Sequence, residues 1–358
     1  MPRTRLRQFV GLCGMLLAAQ CLPAQADPDC PGKPGLLALM PYPGVSNFYY
    51  ENDLVSGSDS NYTSGLKLSW VSANLGSYVD DPCLPGWVRR LNGWSQWLQP
   101  GLFTSRNMVV SAGQAIYTPR DGERHDLIAN DRPYAGWLYL GLAWNARDAR
   151  RMDTVELDVG FIGPPSLARQ TQNFVHDLRG FDRFEGWDHQ LHTELGVQLV
   201  RERKIRAWVY DADSGPKLDL ITHYGASVGN VKTYLNAGAE VRIGTWLPDD
   251  FGTSPIRPAS DSNAPLMGAA TRRLSDHGVH VFAALDTRLV GRDIFLDGNT
   301  FVASHSVDKR PLVADFALGV SWQWRGGKLS YAQIVRSRQF DEQPGSNRFG
   351  SVTLSLEY

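Results

Sequence analysis

Long apolar runs are missing from most of this 358-residue chain. A helix needs about 20 consecutive apolar residues to cross a bilayer, and only the first residues approach that, so a helical membrane span is excluded beyond them. An excess of charge of one sign is missing too. Lys and Arg number 36 and Asp and Glu 37, a net charge of −1, which leaves no basic field to attract nucleic acid. Cysteine is scarce, with four residues in all. His176, His189 and His192 lie close in sequence, but their spacing is not that of a zinc site.

What is abundant is Gly (35), Tyr (13) and Trp (11), a profile that is neither disordered nor fibrous. The N-terminus reads as a secretion signal over residues 1–26. Arg3, Arg5 and Arg7 precede a short apolar stretch, Phe9 to Ala19, and Ala24-Gln25-Ala26 forms a small-x-small cleavage site. The mature chain is then one domain, 27–358. Cys13 and Cys21 leave with the signal. An exported chain that keeps only Cys30 and Cys83 suggests one disulfide between them, with two free thiols as the alternative.

Period-two alternation of apolar and polar residues marks strands over 45–54, 62–74, 107–117, 134–147, 153–163, 190–213, 217–228, 231–246, 277–290, 310–325, 327–337 and 347–358. The fold expected is all-β, a transmembrane antiparallel barrel of about twelve strands; an even count favours 190–213 as one strand rather than two. A soluble β-protein shows similar alternation. The final segment tips the balance: Gly350, Val352, Leu354, Leu356 and Tyr358 alternate with polar residues and the chain stops on an aromatic, a pattern that resembles the insertion signal of outer-membrane barrels. Trp70, Trp137, Tyr139, Trp144, Trp208, Tyr210, Trp246, Trp322 and Trp324 sit near strand ends, where they suit interfacial girdles or, in a soluble protein, a core. With a periplasmic N-terminus, the loop 54–61 is at the cell surface and the segment 75–106 returns inside. There Trp87, Leu91, Trp94 and Leu98 share one helical face, expected on the inner leaflet or under the barrel. The long segment 248–276 also falls on the periplasmic side.

Three stretches could carry chemistry. Tyr50-Glu51-Asn52-Asp53, followed by Asp59 and Asn61-Tyr62-Thr63-Ser64-Gly65, joins two strands through a loop rich in oxygen ligands. Such residues suit a hard cation, although they are also common in turns because they bond their own backbone. Arg120, Glu123, Arg124 and His125 lie in the loop before Asp131-Arg132-Pro133-Tyr134, either a solvated charged loop or a grip on phosphate. Finally, Gln172-Asn173-Phe174-Val175-His176 lies on an amphipathic helix over 168–178, ahead of Gly180, Asp182 and Gly186-Trp187-Asp188-His189.

These three blocks, in this order, resemble the outer-membrane lipid A 3′-O-deacylase family, calcium-dependent ester hydrolases built on a closed barrel. The resemblance implies a helix beside the barrel wall that carries the catalytic histidine, which His176 matches. It places Asn52, Asp53 and Thr63 at the metal and oxyanion end, with Asn52 and Asp53 near Ca2+. It implies a downstream carboxylate to orient the histidine; Asp182 stands where the family has Glu, one methylene shorter. Arg124 is the nearest match to the family's substrate-binding cation. The function implied is hydrolysis of the 3′-acyloxyacyl ester of lipid A by a histidine-activated water. Lipopolysaccharide would be the substrate and the Gram-negative outer membrane the location, with no nucleic-acid partner and the chain a monomer. The alternatives are a non-catalytic barrel, whether channel or structural, and a phospholipase of similar architecture.

Overall fold

A computed structural model describes residues 44–53, 61–81, 84–101, 103–211, 215–253, 255–263 and 277–357. Cys30, Cys83 and Asp59 lie outside the described residues, as do the side chains of Asn61 and Thr63. The strands are β1 (Val45–Asn52), β2 (Asn61–Val71), β3 (Ser105–Thr118), β4 (Ala135–Arg147), β5 (Arg151–Ile162), β6 (Glu194–Tyr210), β7 (Lys217–Gly229), β8 (Lys232–Gly244), β9 (His277–Asp293), β10 (Leu312–Trp324), β11 (Gly327–Arg336) and β12 (Asn347–Glu357). Two helices matter below: α1 (Gly86–Trp94) and α2 (Ala168–Arg179).

Each strand pairs antiparallel with the next, and β12 pairs with β1 to close the ring. β6 is continuous through 202–204, with a bulge between Arg206 and Trp208, so the even count holds. Closure matters because an open edge would leave unpaired backbone groups in lipid. The alternation sorts side chains as expected. Leu66, Leu68, Leu138, Leu140, Phe316 and Leu318 are exposed on the outer wall, whereas Asn47, Lys67, Glu156, Glu202, Asp219, Arg242 and Asp315 are buried inside.

The aromatics divide differently from a simple pair of girdles. Trp208, Tyr210 and Trp322 are exposed. Trp137 and Tyr139 stack inside the lumen at 4.2 Å between ring centroids, on the inward parity of β4. Trp144 is buried and donates to Asn92 of α1 at 3.0 Å.

Helix α1 docks on the outside of the wall through Val88 and Asn92, against Tyr78, Met108 and Trp144. Its Trp87 and Trp94 are 58% and 76% exposed, so the apolar face faces away from protein, as an interfacial helix requires.

Residues 248–253 and 255–263 enter the lumen from the end where β1 begins. Asp250 pairs with Arg242 of β8 and with Lys328 of β11 at 2.5 Å. Arg257 pairs with Glu202 of β6 at 2.5 Å. The Ala259 N–H donates to Glu156 of β5 at 2.5 Å. Asp261 pairs with Lys67 of β2 at 2.7 Å and accepts from Tyr49 of β1 at 2.8 Å. Asn145 of β4 donates to the Asp261 carbonyl, and Asn263 donates to Ser355 of β12. Buried charges of this kind persist only when paired and hydrogen-bonded, and here the segment and the wall supply each other's partners.

Candidate active site

Helix α2 lies on the outer wall near the end opposite the start of β1 and the end of β12. A Cβ at Gly136 of β4 would overlap Ser166 Oγ and Ala168 Cβ, so the absent side chain is the seat for the helix start. Gln114 of β3, on the outward parity, donates to the Ser166 carbonyl at 2.6 Å. Ile116, Tyr134, Ala168 and Trp187 form a small apolar cluster there, and Trp187 donates to Gln172 Oε1 at 2.9 Å. The helix buries Ala168, Gln172 and His176, spaced four apart and therefore on one face. That face is turned to the wall.

Gly180 ends the helix with φ +71°, a left-handed conformation that costs glycine little. The turn sends Phe181 to Phe184 back over the last helical turn. Phe181 and Phe184 meet the His176 ring edge-on, at 6.0 and 5.3 Å. The Asp182 carbonyl lies 2.5 Å from His176 Nδ1. A carbonyl can only accept, so this bond fixes Nδ1 as the protonated nitrogen and Nε2 as the one that carries the lone pair.

The hairpin end lies along the same outer surface. Asn47, Tyr49 and Glu51 bond within the lumen, which puts Asn52 on the outward parity with Phe48 and Tyr50. A register row runs Asn52↔Ser64↔Ile116↔Gly136 across β1 to β4. At about 4.8 Å per strand this row is about 14 Å long. The 12-residue helix spans about 18 Å at 1.5 Å per residue. Starting at Gly136, α2 is long enough to reach the hairpin, and Arg179 at its end lies within electrostatic reach of Tyr50, as does Asp53.

A protein-family profile described as "Outer membrane protein LpxR" matches residues 11–358. The chain belongs to the LpxR family. Among solved structures, LpxR from Salmonella typhimurium is similar at a TM-score of 0.68 and 17% identity, covering 88% of this chain and all of that one. The β-domain of the Bordetella autotransporter BrkA gives a TM-score of 0.40 at 9% identity, over 88% of this chain and 98% of that one. None of the curated proteins matches the chain in sequence.

In this LpxR-family barrel Asp53 is fully buried and Asn52 nearly so. Their carboxylate and amide oxygens are the hard donors that calcium takes. Among the described residues no group of three or more His, Cys, Asp or Glu is arranged to hold a metal ion. A calcium ion held by these two side chains would take most of its six to eight oxygens from other groups. Arg124 is exposed and paired with Asp126 at 2.6 Å. Its loop packs against the segment after α2, where the Glu185 N–H donates to the Gly122 carbonyl at 2.8 Å. Asp182 meets His176 through its main-chain oxygen, whereas the sequence pointed to its carboxylate. Burial pushes the Tyr134 phenol up to about 12, so it stays neutral near pH 7 and serves packing, 5.0 Å from the Trp187 ring. Gly136, Gln172 and Trp187 were not singled out as a docking set, because their contacts join elements distant in sequence.

Proposed function

We propose that this outer-membrane barrel is a lipid A deacylase that hydrolyses the 3′-acyloxyacyl ester on its outer wall, with His176 as the base. The observation that carries this reading is the imidazole itself: buried on the wall-facing side of α2, held by the Asp182 carbonyl at Nδ1, on a helix that runs toward Asn52 and Asp53. The surroundings suit an amphipathic ester. Leu66, Leu68, Leu138 and Leu140 offer an exposed apolar wall to acyl chains, and the polar loops above offer contacts to phosphate.

His176 Nε2 takes a proton from water as the oxygen attacks the ester carbonyl carbon. Collapse of the tetrahedral intermediate breaks the bond to the sugar oxygen, which receives the proton back from Nε2. The products are a free acyloxyacyl acid and a 3′-hydroxyl. Asn52 and Asp53 are the side chains that would hold Ca2+, whose chemistry is to stabilise oxyanion charge as a Lewis acid. Thr63 and Arg124 are assigned here to the oxyanion end and to phosphate by family resemblance.

A channel reading is disfavoured by residues 248–253 and 255–263, which occupy the lumen. The deciding experiment is mass spectrometry of lipid A from cells expressing the wild type or His176→Ala. Loss of the 3′-acyloxyacyl group should require His176 and calcium, and a chelator should stop it. Undiminished deacylation by the variant removes His176 as base. Fatty-acid release from phospholipids under the same conditions would shift the substrate to glycerophospholipid.

A further inference from the structure

The luminal segment also touches the back of the opening hairpin. Glu51 is 1% exposed and points inward, where its Oε1 accepts the main-chain N–H of Ile256 at 2.6 Å. The next residue, Arg257, pairs with Glu202 on β6 at 2.5 Å. The Ala259 N–H is held by Glu156 and Asp261 by Lys67. A strut therefore crosses the lumen from β6 to the last turn of β1, and it ends one residue before Asn52.

We propose that Glu51 is a positioning residue, clamped from inside by the Ile256 N–H so that Asn52 and Asp53 are presented at the outer rim. This rests on the reading above that Asn52 and Asp53 serve the reaction. Side chains alternate across a strand, so fixing Glu51 inward fixes Asn52 outward. A slip or twist of the strand end would carry a carboxylate toward lipid and leave a buried donor unmade, both costly. The pairing of Asn52 with Gly350 and Ser64 holds the strand's path. The clamp adds rotational definition at a point where the next described residue, Asp53, is no longer strand.

The test uses the full chain purified in detergent micelles, as wild type, Glu51→Ala, Glu51→Gln, Ile256→Pro and the Ala/Pro double variant. Ile256→Pro removes the donor without altering the hairpin sequence, and unheated gel mobility reports whether each barrel is folded. Hydrogen exchange of peptides over 45–53 is read first. Calcium binding by calorimetry and deacylation over a calcium series follow. Glu51→Ala and Ile256→Pro should each speed exchange near Asn52 and raise the calcium needed for half-saturation about tenfold, the scale of one hydrogen bond to a charged group. The rate at saturating calcium should be little changed. The double variant should be no worse than either single one, and Glu51→Gln, which keeps an acceptor, should remain near wild type. Unchanged exchange, additive effects, or a Gln variant as impaired as Ala would overturn the clamp. If the wild type neither binds calcium nor deacylates, the functional reading fails, while the exchange comparison still decides whether Glu51 and Ile256 are coupled.

Discussion

His176 and Gly136 fix the two ends of the outer helix in different ways, one by a ring nitrogen that meets the Asp182 carbonyl in the turn beyond it and the other by lacking a side chain where the helix starts. Gly136→Val should unseat α2, because the space a side chain would need is filled by Ser166 and Ala168. The expected result is at least a hundredfold loss of deacylation, since ångström-scale misplacement costs about that much, with the barrel still folded by gel mobility. Asp182→Ala should keep activity within about threefold, because the orienting acceptor is the main-chain oxygen and survives truncation. A loss on the order of 10²-fold or more, of the size seen when general base catalysis is removed, would return the role to the carboxylate. The helix that carries His176 was legible in the sequence through its amphipathic spacing. The seat at Gly136 was not, because a glycine at the start of a strand carries no mark of the helix that will pack on it.

At the scale of elements, all twelve strands were legible to within four residues at either end, since inward polar and outward apolar side chains leave a period of two that survives in the sequence. The helices were legible by their faces but not by their partners. The spacing of Trp87, Leu91 and Trp94 identified α1; that Val88 and Asn92 do the docking depends on Met108 and Trp144, brought in from other strands. The exposed tryptophans make a testable claim. In vesicles containing brominated lipids, replacement of Trp87 and Trp94 by Phe should remove a quenched fraction of the tryptophan fluorescence. An unchanged quenching profile would show that α1 faces water instead. Trp137 and Tyr139, read as rim residues, lie inside because strand parity, not nearness to an end, decides the face.

For the whole molecule, the decisive feature is a lumen filled by its own chain. Purified protein in planar bilayers should show no steady conductance, and a variant in which 248–263 is replaced by a short Gly/Ser linker should conduct. Steps of equal size from both would mean the segment does not seal the barrel. The filling was hidden in the sequence because inward polar residues look alike whether they line water or grip a plug. Asp250 and Asp261 find their partners on β8, β11 and β2, which no local pattern connects.

The pairing of the first strand with the last has a consequence in time. Asn52 lies between Gly350 of β12 and Ser64 of β2, so its strand end is held on both sides only in the closed ring. An activity that depends on Asn52 would thereby stay incomplete in an open sheet and become available only once the seam between β1 and β12 has closed.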